Sequence, residues 1–139
     1  MSDYIKKRAI RYRLKPEEVE RYEKMLSTEW EDFLPELLHK YFNLKREYNL
    51  GGEKDFTMGY GYDYEKGDQT YVDYMIEYVY GADGDYALTR DLTEEEYKKY
   101  APLFKERFPE LNIDELRYVD YCYYNGVDEP AVYDYEPIE

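Results

Sequence analysis

Two runs in the middle of the chain alternate with a period of two. Phe56, Met58, Tyr60, Tyr62 and Tyr64 are separated by Thr57, Gly59, Gly61 and Asp63, and Val72, Tyr74, Ile76, Tyr78 and Tyr80 repeat the pattern. A period of two is that of an extended strand with one face buried, and no helix can satisfy it. Glu65-Lys66-Gly67-Asp68 between the runs supplies a glycine-bearing turn, so residues 55–80 are expected to form a β-hairpin. Gly59 and Gly61 share one face, which permits a bulge, a twist or close approach by another backbone. Whatever else folds must pack on this ribbon.

The flanking segments change period. Ala9 to Leu14 alternates apolar with basic residues and reads as a short strand. Lys15-Pro16-Glu17-Glu18 opens a helix, with proline early and acids in the first turn. Thr28 and Glu31 make a capping-box pattern, followed by Trp30, Phe33, Leu34, Leu37, Leu38, Tyr41 and Phe42 on a wide apolar face. Pro35 should kink or restart that stretch. Past a second turn at 81–85, Tyr86 to Arg90 reads as a returning strand. Thr93 and Glu96 form a second capping box, flanked by Leu92 and Tyr97 at the hydrophobic-staple positions. Leu116 to Tyr124 reads as a strand, Asn125-Gly126 as a turn, and Ala131 to Tyr135 as an edge strand. The order β–α–α–β–β–β–α–β–β predicts one α+β domain over residues 1–139. It should hold an antiparallel sheet of about five or six strands, with two or three helices packed on one face. The other face would carry Asp63, Glu65, Asp73 and Glu77.

Composition narrows the chemistry. The chain has 21 tyrosines and 33 acids against 19 bases, a net charge of −14. Residues 1–47 contribute 11 bases and 10 acids; the remaining 8 bases and 23 acids place the acidity in the last two-thirds. So large a surplus repels nucleic acid and anionic membranes and attracts basic protein surfaces. The basic run Lys6-Lys7-Arg8, with Arg11, Arg13 and Lys15, is expected to pair with the chain's own acids rather than serve as a nucleic-acid arm. One cysteine, Cys122, allows no intramolecular disulfide and fits a reducing, cytoplasmic compartment; no signal peptide or membrane span is visible.

Catalytic and metal motifs are missing. With a single histidine, His39, and a single cysteine, His/Cys zinc spacing cannot arise. Asp83-Gly84-Asp85 with Asp91 lacks the ligand ladder of an EF-hand loop. No cofactor site is read, and no residue is assigned a catalytic role. What is left is a field of phenols and carboxylates. Tyrosine brings contact area to interfaces at low entropic cost. Asp63, Glu65, Asp73, Glu77, Asp83, Asp85, Asp120 and Asp134 are the candidate electrostatic contacts, with Tyr62, Tyr71 and Tyr123 as aromatic anchors. Same-face strand residues recur at about 6–7 Å, so rows of acids can stand where a protein expects phosphates.

In size, charge and Tyr/Asp/Glu density over residues 55–139 the chain resembles the small acidic inhibitors carried by phages and mobile elements, the anti-CRISPR and anti-restriction DNA mimics. That resemblance implies a non-enzymatic inhibitor that blocks the basic surface of a nucleic-acid-binding protein without itself binding nucleic acid. A small-ligand binder or enzyme with an aromatic pocket between sheet and helix is the alternative, and a structural domain is the third.

Overall fold

A computed structural model describes residues 4–27, 33–46, 50, 52–63, 67–80, 86–124 and 136–137, the side chains at 62–63, 67–68 and 136–137 excepted. The elements are β1 (Tyr4–Arg13), α1 (Pro16–Leu26), α2 (Leu34–Tyr41), β2 (Phe56–Asp63), β3 (Gly67–Tyr80), β4 (Tyr86–Asp91), α3 (Glu94–Arg107), β5 (Arg117–Tyr124) and the two-residue β6 (Glu136–Pro137). The chain is therefore α+β, as the change of period predicts. Strands run in the order β2-β3-β1-β5-β4-β6; each neighbouring pair among the first five is antiparallel, and β6 pairs parallel with β4.

The expected hairpin is present, paired from Phe56 opposite Tyr74 to Asp63 opposite Gly67; Gly67 and Asp68, expected in the turn, instead begin β3. Strand β1 begins earlier than the alternation alone indicates. It takes in Tyr4 to Arg8, so the basic run lies inside the central strand of the sheet. Pro35 sits in the first turn of α2 and restarts the helix rather than kinking one. The box at Thr28 and Glu31, Trp30, and the strand expected at 131–135 lie outside the described residues.

All three helices cover one face. Tyr12, Ile10, Val72 and Phe56 of the sheet meet Tyr22 of α1, Leu34 and Leu38 of α2, and Ala101 and Phe104 of α3 in a common core. Rings carry much of it. Phe56 lies edge-on to Phe104 at 4.9 Å and to Phe108 at 5.1 Å, and Phe108 lies edge-on to Phe42 at 5.2 Å, the arrangement that ring quadrupoles favour.

Polar staples fix the helix ends. Buried Glu18 accepts hydrogen bonds from the Tyr12 hydroxyl, from Lys15 N at 2.9 Å and from Asn112 N at 2.9 Å, tying β1, α1 and the α3–β5 connection together. Burial and the Glu18 contact push the Tyr12 phenol far above its usual range. At α3 the predicted box is present in both directions. Thr93 Oγ1 accepts from Glu96 N at 3.1 Å, and Glu96 Oε1 accepts from Thr93 N at 2.9 Å. Arg90 clamps the same carboxylate at 2.6 and 2.8 Å and, as the leading cause, holds its pKa down to about 2. Thr93→Ala is expected to cost about 0.5–2 kcal/mol by freeing a helix-end N–H. A urea midpoint lowered at unchanged slope checks this.

Candidate functional site

A bulge decides which acids share a face. Strand β1 pairs with β3 as Arg8↔Glu77 and then Ala9↔Met75, so β3 carries one extra residue at Ile76. An inserted residue reverses the alternation beyond it. Asp73 and Glu77, four apart and expected side by side, therefore point to opposite faces. Asp73 lies with Arg11 on the face away from the helices. Glu77 lies with Arg8 on the helix-bearing face.

On the face away from the helices, the expectation of an outward acidic row is overturned by burial. Asp73 is 0% exposed, as is Lys7, and Arg11 is 1% exposed. Asp73 Oδ1 accepts from Arg11 Nε at 2.7 Å, and Oδ2 accepts from Arg11 Nη2 at 2.8 Å. Lys7 Nζ reaches Oδ2 at 2.9 Å. Ala9, the small residue between Lys7 and Arg11 on this face, leaves room for that reach. Burial alone would raise the Asp73 pKa, but the two cations outweigh it and hold it down to about 2. Tyrosines enclose the cluster. The Arg11 guanidinium stacks over the Tyr71 ring at 4.1 Å and lies 5.6 Å from that of Tyr121, which Lys7 Nζ also approaches at 5.6 Å. Gly59, opposite Tyr71 in the hairpin, is buried and puts no side chain beside that ring. Tyr71 and Tyr123, proposed as surface anchors, are 0% and 8% exposed and belong to this second core with Ile5, Leu50, Met75 and Val119. Thr57, opposite Asp73, is buried with its hydroxyl unpartnered.

The helix-bearing face is open at the end of the strands where β1 begins. Cross-strand register sets Arg8 between Glu77 and Asp120, and Lys6 between Val79 and Cys122. Arg8 Nε lies 3.4 Å from Asp120 and 3.9 Å from Glu77, and Lys6 Nζ lies 4.0 Å from Glu77. Tyr86 donates to Asp120 Oδ1 at 3.1 Å; burial, then the Asp120 charge, pushes the Tyr86 phenol up to about 12. Val79 and Tyr124 are 42% and 46% exposed on the same surface. The structure thus brings together two predicted residues, Glu77 and Asp120, but neutralises them with two bases. Asp63 and Tyr62 are placed by backbone only, in β2, and Glu65, Asp83, Asp85 and Asp134 lie outside the described residues.

Lys7 and Arg11 were missed as partners of Asp73, although one signal existed. Lys7, Ala9 and Arg11 occur at i, i+2 and i+4, which sets two bases on one face of any strand there. The expected self-pairing of the basic run is described for five of its six bases. Lys6, Lys7, Arg8, Arg11 and Lys15 each lie within 4.0 Å of an acid.

His39 is half-buried at the end of α2, and its Nε2 has no hydrogen-bond partner among the described residues. Burial, then the Arg46 charge, lowers its pKa. Among the described residues no group of three or more His, Cys, Asp or Glu side chains is placed to hold a metal ion, and no helix is long and apolar enough to cross a membrane. Comparison with family models, curated proteins and solved structures finds no match. The geometry defines an α+β fold with a large aromatic cluster.

Proposed function

We propose that this is a non-enzymatic cytoplasmic protein that binds the basic surface of a nucleic-acid-binding protein and blocks it through its negative field. The observation that carries the reading is where the bases go. Lys7, Arg11 and Lys15 are held within 2.9 Å of the chain's own acids, and Lys6 and Arg8 lie more loosely beside Glu77 and Asp120. Beyond them, Lys45 pairs with Asp55 at 3.7 Å, Arg46 with Glu36 at 2.6 Å, Arg90 with Glu96 at 2.6 Å and Arg117 with Asp91 at 2.5 Å. Cations held this way are poor ligands for phosphate, while the surplus acids remain outside. Glu17 and Glu23 on α1, Glu95 and Glu106 on α3, and Glu115 before β5 are exposed and form no ion pair among the described residues. The acidic surface is therefore assigned to the helix layer and its connections instead of the sheet, because Glu77 and Asp120 are locally neutralised and Asp73 is interior.

Exposed charge of one sign steers association and is screened over about 8–10 Å at ordinary salt. The test is capture from nuclease-treated extract on the immobilised chain, followed by elution with salt and, separately, with duplex DNA. Partners released by both are expected, and the chain alone should leave labelled DNA unshifted. Capture that resists salt and DNA alike would leave an ordinary interface or a ligand pocket as the better account.

A further inference from the structure

We infer that the open end of the helix-bearing sheet face is a contact for a second copy of this chain, related by a two-fold axis. This goes beyond the proposed function, since the occupant is the chain itself rather than a basic partner. The argument begins with repulsion. At a net charge of −14, two copies repel over most of their surfaces. This patch is different, because Lys6 and Arg8 balance Glu77 and Asp120, two charges of each sign. A surface that carries both signs is complementary to itself, as a two-fold contact requires.

The pairs within one copy are also incomplete. Arg8 Nε is buried without a hydrogen-bond acceptor even though Asp120 stands 3.4 Å away, and the side chain remains 38% exposed. Glu77, at 3.9 and 4.0 Å from its two cations, is bonded no better and is 37% exposed. The outer edge of the Arg8 fork can take the Glu77 carboxylate of a second copy, a bidentate pairing that guanidinium geometry favours. Val79 and Tyr124 flank these charges, 42% and 46% exposed, and supply apolar area at the contact. Tyr124 is braced edge-on by Tyr4 at 5.7 Å.

The experiment is sedimentation equilibrium on the intact chain at low and moderate salt, over a wide concentration range. A monomer–dimer equilibrium is expected. Val79→Asp, an exposed change, should weaken it at least tenfold. Arg8→Glu and Glu77→Arg should each give monomers, because each sets like charges across the axis. Mixing those two variants should restore a dimer, since every crossed pair then has opposite signs. That rescue also separates a lost contact from a lost fold, because a misfolded variant would not recover on mixing. A chain that stays monomeric throughout, a dimer indifferent to Val79→Asp, or a mixture that stays monomeric would each overturn the inference.

Discussion

Asp73→Ala is expected to cost on the order of 3–5 kcal/mol, enough to leave the domain unfolded or nearly so, because it strands Lys7 and Arg11 as buried cations. Stability is then lost mainly through uncompensated charge rather than through the missing contacts. Asp73→Asn should also be severely destabilising, since an amide keeps the volume but supplies only one oxygen and no charge to a site that bonds through both. Thermal unfolding followed by circular dichroism checks this directly. A variant melting within a few degrees of the parent would show that Lys7 and Arg11 can be satisfied without the carboxylate.

The same carboxylate sets a pH dependence. Its folded pKa, about 2, lies below the ordinary aspartate value of 3.8. The folded state therefore binds this proton less readily than the unfolded chain does. Stability from the group is complete above the unfolded pKa, falls as pH drops below about 4, and is lost as pH passes through 2. Glu96, also held down to about 2, acts in the same direction. An acid transition that begins below pH 4 and is absent from an Asp73-substituted chain that still folds would be the signature; identical acid midpoints would contradict it.

Periodicity made the strands and helices legible because each is a local property. The hairpin, α1, α3 with its box, and β5 all follow from residues within a few positions of one another. The partition of acids between surface and interior was not local. It depended on the extra residue at Ile76, which separates Asp73 from Glu77, and on β1 reaching back to Tyr4, which delivers Lys7 and Arg11 to one side of Asp73. A bulge has no sequence signature in Tyr74-Met75-Ile76-Glu77, where apolar residues run three deep and either alternation can be drawn through them. Tyrosine added its own ambiguity. The same residue type forms the closed wall at Tyr71 and Tyr121 and the open rim at Tyr124, and composition does not separate the two uses. Of the candidate contacts, Glu77 and Asp120 lie on the helix-bearing face on either side of β1, and the bases that neutralise them come from that strand.

Replacing Glu17, Glu23, Glu95, Glu106 and Glu115 together by glutamine is expected to slow association with the captured basic partner by roughly ten- to a thousandfold at low salt, the range that electrostatic steering spans. All five are exposed and lie outside the ion pairs among the described residues, so their charge is available at long range. Dissociation should change far less, because peripheral charges act on encounter more than on the docked complex. Raising the salt should bring parent and variant together, since screening removes from the parent what mutation removes from the variant. Folding is a modest confounder. Glu17 and Glu95 sit in first helical turns, where a negative charge contributes about 0.3–1 kcal/mol, so the melt of the variant is measured alongside. Stopped-flow association at two salt concentrations decides the matter. Equal rates for parent and variant at low salt, in a variant shown to be folded, would mean that the helix-layer acids do not steer the encounter, and the aromatic surfaces would become the better place to look for the contact.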